Sequence, residues 1–186
     1  MNPTLLTQPQ GSYKAEKGLK KNVANFMMYL TPHKSIIDGK EYNLCPKASN
    51  GCALACLNTA GRGAFNNVIN ARLNRTKFYI RNRKGFLAQL EQEIKKGINW
   101  ATNKGLTPAF RLNGTSDLPF EKMNIFNKFL GVQFYDYTKI KEKIFNNTNE
   151  NYQVTFSLSE DNEKDAVEVL NRGFNVAVVF EDKLPE

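Results

Sequence analysis

A chain of 186 residues, 41% hydrophobic and 24% charged, has the size of one domain and enough apolar content to bury a core, which excludes a disordered polyampholyte. No apolar run approaches the ~20 residues of a membrane-crossing helix, and no charged-then-apolar leader opens the chain, so no membrane partner is expected and the cytoplasm is the expected compartment. The formal net charge of +8 fits either contact with a polyanion or a solvated, lysine-rich surface.

Residues 1–22 read as an irregular basic arm, with Gln8-Pro9-Gln10-Gly11 followed by Lys14, Lys17, Lys20 and Lys21. Residues 23–186 read as a single β/α domain carrying a cysteine loop. Its first strand is the apolar run Val23 to Leu30, ended by Thr31-Pro32. A long loop with a turn at Asp38-Gly39 then leads from His33 to Cys45.

Every cysteine of the chain lies within the next twelve residues, as Cys45, Cys52 and Cys56. The spacing C-x6-C-x3-C puts Cys52 and Cys56 one helical turn apart, while Pro46 and Gly51 keep Cys45 on the incoming loop. Three converging thiolates suit a thiophilic centre, either zinc with a fourth ligand or an iron-sulfur cluster with one iron left open. A disulfide would strand one thiol, and packed, incidental thiols are the bland alternative. His33, the only histidine, is the candidate fourth zinc ligand, or simply a loop residue.

The cysteine helix is expected to end at Gly61-Arg62-Gly63, with Gly61 as a left-handed C-cap. A basic helical segment follows, in which Arg72 and Arg75 either grip an anionic ligand such as nucleic acid or form a solvated face. Phe86, Leu87, Leu90, Ile94 and Ile98 recur at helical spacing and mark a core-facing helix.

From Pro108 onward strands and helices alternate. Strands are expected at Ala109 to Leu112, Val132 to Tyr135, Tyr152 to Phe156 and Asn175 to Phe180. Helices are expected after Pro119, around Ile140 to Phe145, and around Ala166 to Leu170 up to Gly173. Alternation of this kind predicts a parallel sheet, and about five to six strands are too few for a closed eight-stranded barrel. The expected fold is therefore α/β, a parallel partial (incomplete TIM-like) barrel or an open sheet, completed in some cases by a second copy as a homo-oligomer.

Polar residues gather just after these strands, at the carboxyl edge where parallel sheets bind ligands. They include Asp117, Asp136, Lys139, Ser157, Ser159, Glu160 and Glu181. Helix capping by Ser116 or Asp117, Thr138 and Ser159, worth ~1 kcal/mol each, is the structural alternative. Capping does not account for Arg111 inside a strand, for which Asp117 or Asp136 are the natural partners. The site expected on these grounds has Asp136 and Lys139 as catalytic residues and Arg111, Asn113, Ser116, Asp117, Ser157 and Glu160 as cofactor-binding residues. Cys45, Cys52 and Cys56 hold the metal, joined by His33 in the zinc case.

A thiol trio after the first strand of a parallel partial barrel resembles the radical S-adenosylmethionine enzymes, whose three cysteines hold a [4Fe-4S] cluster with an open iron for S-adenosylmethionine. The spacing differs from their C-x3-C-x2-C, and Asn113 to Asp117 stands where their glycine-glycine-glutamate segment would be. The segments Cys45 to Cys56, Ala71-Arg72 with Thr76, Arg111 to Leu118, and Phe134 to Lys139 resemble the gene product 88-like group of bacteriophage proteins. That resemblance covers the chain from about residue 25 onward and implies a phage or mobile-element origin, with work in the host cytoplasm.

Three functions compete. The first is an iron-sulfur enzyme of radical S-adenosylmethionine type acting on an unknown substrate. The second is a nucleic-acid-binding module, stabilised by zinc on three cysteines and His33, that uses the basic arm, Arg72 and Arg75. The third is a magnesium-dependent nuclease or replication protein using Asp117, Asp136 and Glu160.

Overall fold

The computed structural model describes residues 2–11, 13–54, 56 and 61–180. Eight strands, β1 (Leu6–Thr7), β2 (Val23–Met28), β3 (Lys34–Ile37), β4 (Lys40–Asn43), β5 (Thr107–Arg111), β6 (Gln133–Thr138), β7 (Tyr152–Ser157) and β8 (Val176–Ala177), form two sheets. The larger has the order β1-β2-β5-β6-β7-β8. β1 pairs antiparallel at one edge, and every other pairing in it is parallel. The helices are α1 (Tyr13–Leu19), α2 (Asn50–Leu54), α3 (Asn66–Arg81), α4 (Arg83–Thr102), α5 (Lys141–Phe145) and α6 (Glu163–Asn171).

The parallel strands lie side by side in sequence order, with no reversal. Right-handed crossovers then place successive helices on one face. The strands show the matching period of two. Phe26, Phe110, Phe134 and Phe156 are fully buried in one core with Leu90 and Ile94 of α4, Ile144 of α5 and Val169 of α6. Gly97 lets α4 approach closely, since a Cβ there would stand 3.1 Å from the Phe110 ring. On the opposite face α1 lies against β2, where Gly18 leaves room for the Asn25 side chain.

Several expectations are corrected. Residues 1–22 are not an irregular arm: Leu5, Leu6 and Ala15 are buried, β1 pairs with β2, and the Glu93 carboxylate of α4 accepts from Leu5 and Leu6 N–H at 2.8 to 3.0 Å. The lysine count hid a short apolar anchor. The loop from His33 to Cys45 contains the β3–β4 hairpin, whose Asp38-Gly39 turn has φ of 52° and 75° at its two central residues, the tight geometry that this pair favours. Helix α2 stops at Leu54, so Cys56 lies beyond it and not one turn along it. Gly61–Ala64 is a 3-10 turn, and the helix expected to reach Gly61 would have crossed 57–60, which lie outside the described residues.

No α-helix follows Pro119. Two 3-10 turns, Phe120–Met123 and Phe126–Phe129, are separated by Asn124 in the left-handed region, and Asn151 donates to the carbonyls of Phe126, Phe129 and Val132. Of the strand expected from Asn175 to Phe180, Val176 and Ala177 pair with β7, while Val179 is 95% exposed. No described helix is long and apolar enough to cross a membrane.

Candidate functional site

A cavity of about 610 Å³ opens at the carboxyl ends of β2, β5, β6, β7 and β8, where Met27, Arg111, Tyr137, Ser157 and Ala177 face it. Its other wall is the cysteine loop, and Cys45, Cys52 and Cys56 all line it. Each of the three is half-buried and outside any disulfide.

The thiol wall is held at two points. The Cys45 N–H donates to Asn43 Oδ1 at 2.9 Å, and its Sγ–H faces the Thr115 carbonyl at 3.5 Å. Burial pushes the Cys45 thiol up to about 11. A hydrogen bond from the His33 main chain opposes this, and negative charge on Asp117, Cys56 and Cys52 adds to it. At the start of α2 the Glu160 carboxylate accepts from Ser49 Oγ at 2.8 Å and Gly51 N at 2.7 Å, and Ser49 Oγ accepts from Cys52 N at 3.2 Å. Its own main-chain N–H, then Ser49 and Gly51, hold Glu160 below the usual carboxylate range. Gly51 leaves room for this contact, because a Cβ would lie 2.8 Å from Glu160 Oε1 and displace the carboxylate. Glu160 therefore clasps the cysteine loop from outside the cavity.

The strand-end wall is a buried network. Asp136 accepts from Asn113 N at 2.9 Å, Asn113 Nδ2 at 3.2 Å and the Tyr152 hydroxyl at 3.2 Å. Asn113 Oδ1 in turn accepts from Ser116 Oγ and Leu118 N. Burial pushes Asp136 up to about 6, against the pull of Arg111, the Asn113 N–H groups and Lys143. Asp136 points away from the cavity and anchors the 113–118 turn that lines it. Asp117 accepts from Thr138 Oγ1, Lys139 N and Lys143 Nζ, the last at 2.7 Å. Gly114 passes so near β2 that a Cβ would meet the Met28 carbonyl at 2.5 Å.

Arg111 stacks over the Tyr137 ring at 4.7 Å and comes within 3.9 Å of Asp136, an ion pair too long for a hydrogen bond. Lys139 Nζ reaches Ser157 O at 3.3 Å and Oγ at 3.5 Å.

The structure thus brings together the three cysteines with Arg111, Asn113, Ser116, Asp117, Lys139 and Ser157, and leaves Asp136, Glu160 and His33 outside the lining. His33 meets Cys45 through its main chain. The capping reading is corrected as well: α5 and α6 begin at Ile140 and Asn162 without a side-chain cap, and Ser159 donates to Asp161. Arg72 is buried against the Tyr29 ring, and Arg75 donates to the carbonyls of Thr4 and Tyr29, so neither presents a free basic face. Glu181 lies outside the described residues. Among the described residues no three His, Cys, Asp or Glu side chains stand together as a ready metal-ligand group. Tyr135, Tyr137 and Lys143 were not anticipated. The two tyrosines alternate with Phe134, Asp136 and Thr138, a period-two signal that was available in the sequence.

A parallel α/β protein with a thiol-lined, cationic cavity at the strand ends is the class that fold and site define. The family model for gene product 88 matches residues 4–186, and the chain belongs to that family, the phage group its motifs resemble. No curated protein and no solved structure matches it.

Proposed function

We propose that this chain is an iron-sulfur enzyme of radical S-adenosylmethionine type, built on an incomplete barrel and acting in a host cytoplasm. The observation that carries the reading is the convergence of Cys45, Cys52 and Cys56 on one cavity at the carboxyl ends of five parallel strands. The monotonic strand order, with helices α4 to α6 on one face, is what a segment of a β/α barrel requires.

The donor chemistry fits a cluster: three half-buried thiols outside any disulfide, with no imidazole in the lining, suit soft iron more than a site of three cysteines and one histidine. The fit is one of donor type, because the thiols do not stand as a closed ligand group among the described residues. Cys52 sits on the short α2, no residue of which is buried, and Cys56 follows it. When bound, a [4Fe-4S] cluster with an open iron supplies one electron to a sulfonium cofactor held beside it. Arg111, Asn113, Ser116, Asp117 and Ser157 shape the rest of the cavity for that cofactor and for substrate, and Lys139 is the cationic group placed to handle a proton.

Anaerobic purification of the whole chain with iron and sulfide analysis tests this. About four irons and four sulfides per chain, with broad visible absorbance, are expected, and Cys52→Ser should abolish both. Colourless protein with one zinc, released by His33→Ala, overturns the reading.

A further inference from the structure

The cations of the cavity are under-used. The Arg111 side chain is only 18% exposed, yet its Nε has no hydrogen-bond partner among the described residues. The nearest carboxylate, Asp136, already accepts from Asn113 N, Asn113 Nδ2 and Tyr152. A guanidinium carries five donors in a fixed fork, and leaving them unmet in a buried site is costly. Its flat face rests on Tyr137, and the side chain lines the cavity.

Lys139 and Lys47 line the same cavity, and among the described residues the hydrogen bonds of Lys139 Nζ are the two long contacts to Ser157. The single acidic residue among the described lining, Asp117, is already neutralised by Lys143. Three cations therefore face one spent carboxylate. Glu160 lies near enough to feel Lys139, but its oxygens are taken by Ser49 and Gly51.

We infer that Arg111, with Lys139 beside it, is an oxyanion subsite that takes the carboxylate or phosphate of a small molecule. The ligand's body lies along Tyr135, Tyr137 and Met27, in a cavity large enough for a molecule of amino-acid or nucleotide size. This goes beyond the cluster reading and needs no metal, so metal-free protein tests it separately.

The experiment is a titration of the metal-free full chain with inorganic phosphate and, in parallel, with acetate, following the Arg111 Nε–H and the amides of Asn113 to Ser116 by nuclear magnetic resonance. Saturable shifts of these signals are expected. Arg111→Gln should weaken binding by roughly 10- to 100-fold, as loss of charge-assisted hydrogen bonds implies. Arg111→Lys, which keeps the charge but loses the fork, should fall between. Lys139→Gln, which leaves the Arg111–Asp136 contact in place, should weaken binding severalfold and serves if Arg111→Gln does not fold. Arg81→Gln, which alters only an exposed pair with Asp38, should leave binding unchanged. Tighter phosphate binding identifies a phosphate ester as the ligand class, and tighter acetate binding a carboxylate. Shifts absent with both anions, or surviving in Arg111→Gln and Lys139→Gln, overturn the proposal.

Discussion

The two walls of the cavity are built to different standards. The strand-end wall hangs from a buried lattice in which Asn113 is 1% and Asp136 2% exposed and Asn113 ties Asp136, Ser116 and Leu118 together. The cysteine wall rests on a five-residue helix with no buried residue, held by Glu160 at one end and by Cys45 at the other. One side is held by burial and the other by a few exposed contacts, the arrangement expected when a rigid scaffold carries a loop of functional residues.

The sharpest way to break this contrast is to strike the rigid wall. Lys143→Met leaves the largely buried Asp117 carboxylate without its cation and takes one of its donors from the Leu118 carbonyl, so a loss of about 3–5 kcal/mol is expected in urea unfolding. The double variant with Asp117→Asn should recover part of it. A loss under ~1 kcal/mol would mean the wall is held by something else.

Asp136 gives the contrast a pH signature. Its folded value of about 6 stands above the 3.8 of an ordinary aspartate, so the folded state holds the proton more tightly. The stability this contributes is present below about pH 4 and is lost as pH rises through 6. Comparing the whole chain with Asp136→Asn across that window should show a changing difference on the order of 3 kcal/mol, all of it between those limits. A flat difference would place the carboxylate in water. On the adjustable wall the expected effects are smaller: Cys52→Ser and Cys56→Ser in metal-free protein should each cost less than ~1 kcal/mol by the same unfolding assay.

How legible these walls were in the sequence follows from the range of the interactions. The strands and the α4 face were readable because Phe86, Leu90 and Ile94, or Phe134 and Phe156, announce their burial through local periodicity. The thiols, Arg111 and Asn113 were readable because such residues rarely occupy a loop or a strand end without cause. The role of Asp136 was not, since only the fold decides which face of β6 meets Asn113 and Tyr152. The N-terminal anchor was hidden for the same reason: Leu5 and Leu6 find their acceptor on Glu93, 88 and 87 positions away. The Asp38-Gly39 turn was noticed, yet the hairpin around it was missed because its strands carry Lys34, Lys40 and Glu41 and little apolar alternation.

The smallest effect is the most discriminating. Glu160 looks like a cavity residue from its place after β7, but its carboxylate is turned to Ser49 and Gly51, and through Ser49 it reaches the Cys52 N–H. Glu160→Gln keeps the size of the side chain and removes the charge that receives both donors. Because the clasp is exposed, unfolding midpoints should barely move. Local opening of α2 should become more frequent, so Cys52 should alkylate a few-fold faster while Cys45, buried on the strand side and poorly ionised, keeps its rate. Gly51→Ala, whose methyl group would displace the same carboxylate, should reproduce the change by a different route. Equal acceleration at Cys45 and Cys52 would mean that the two walls move as one, and no acceleration at either would mean that Cys52 is placed by contacts other than this clasp.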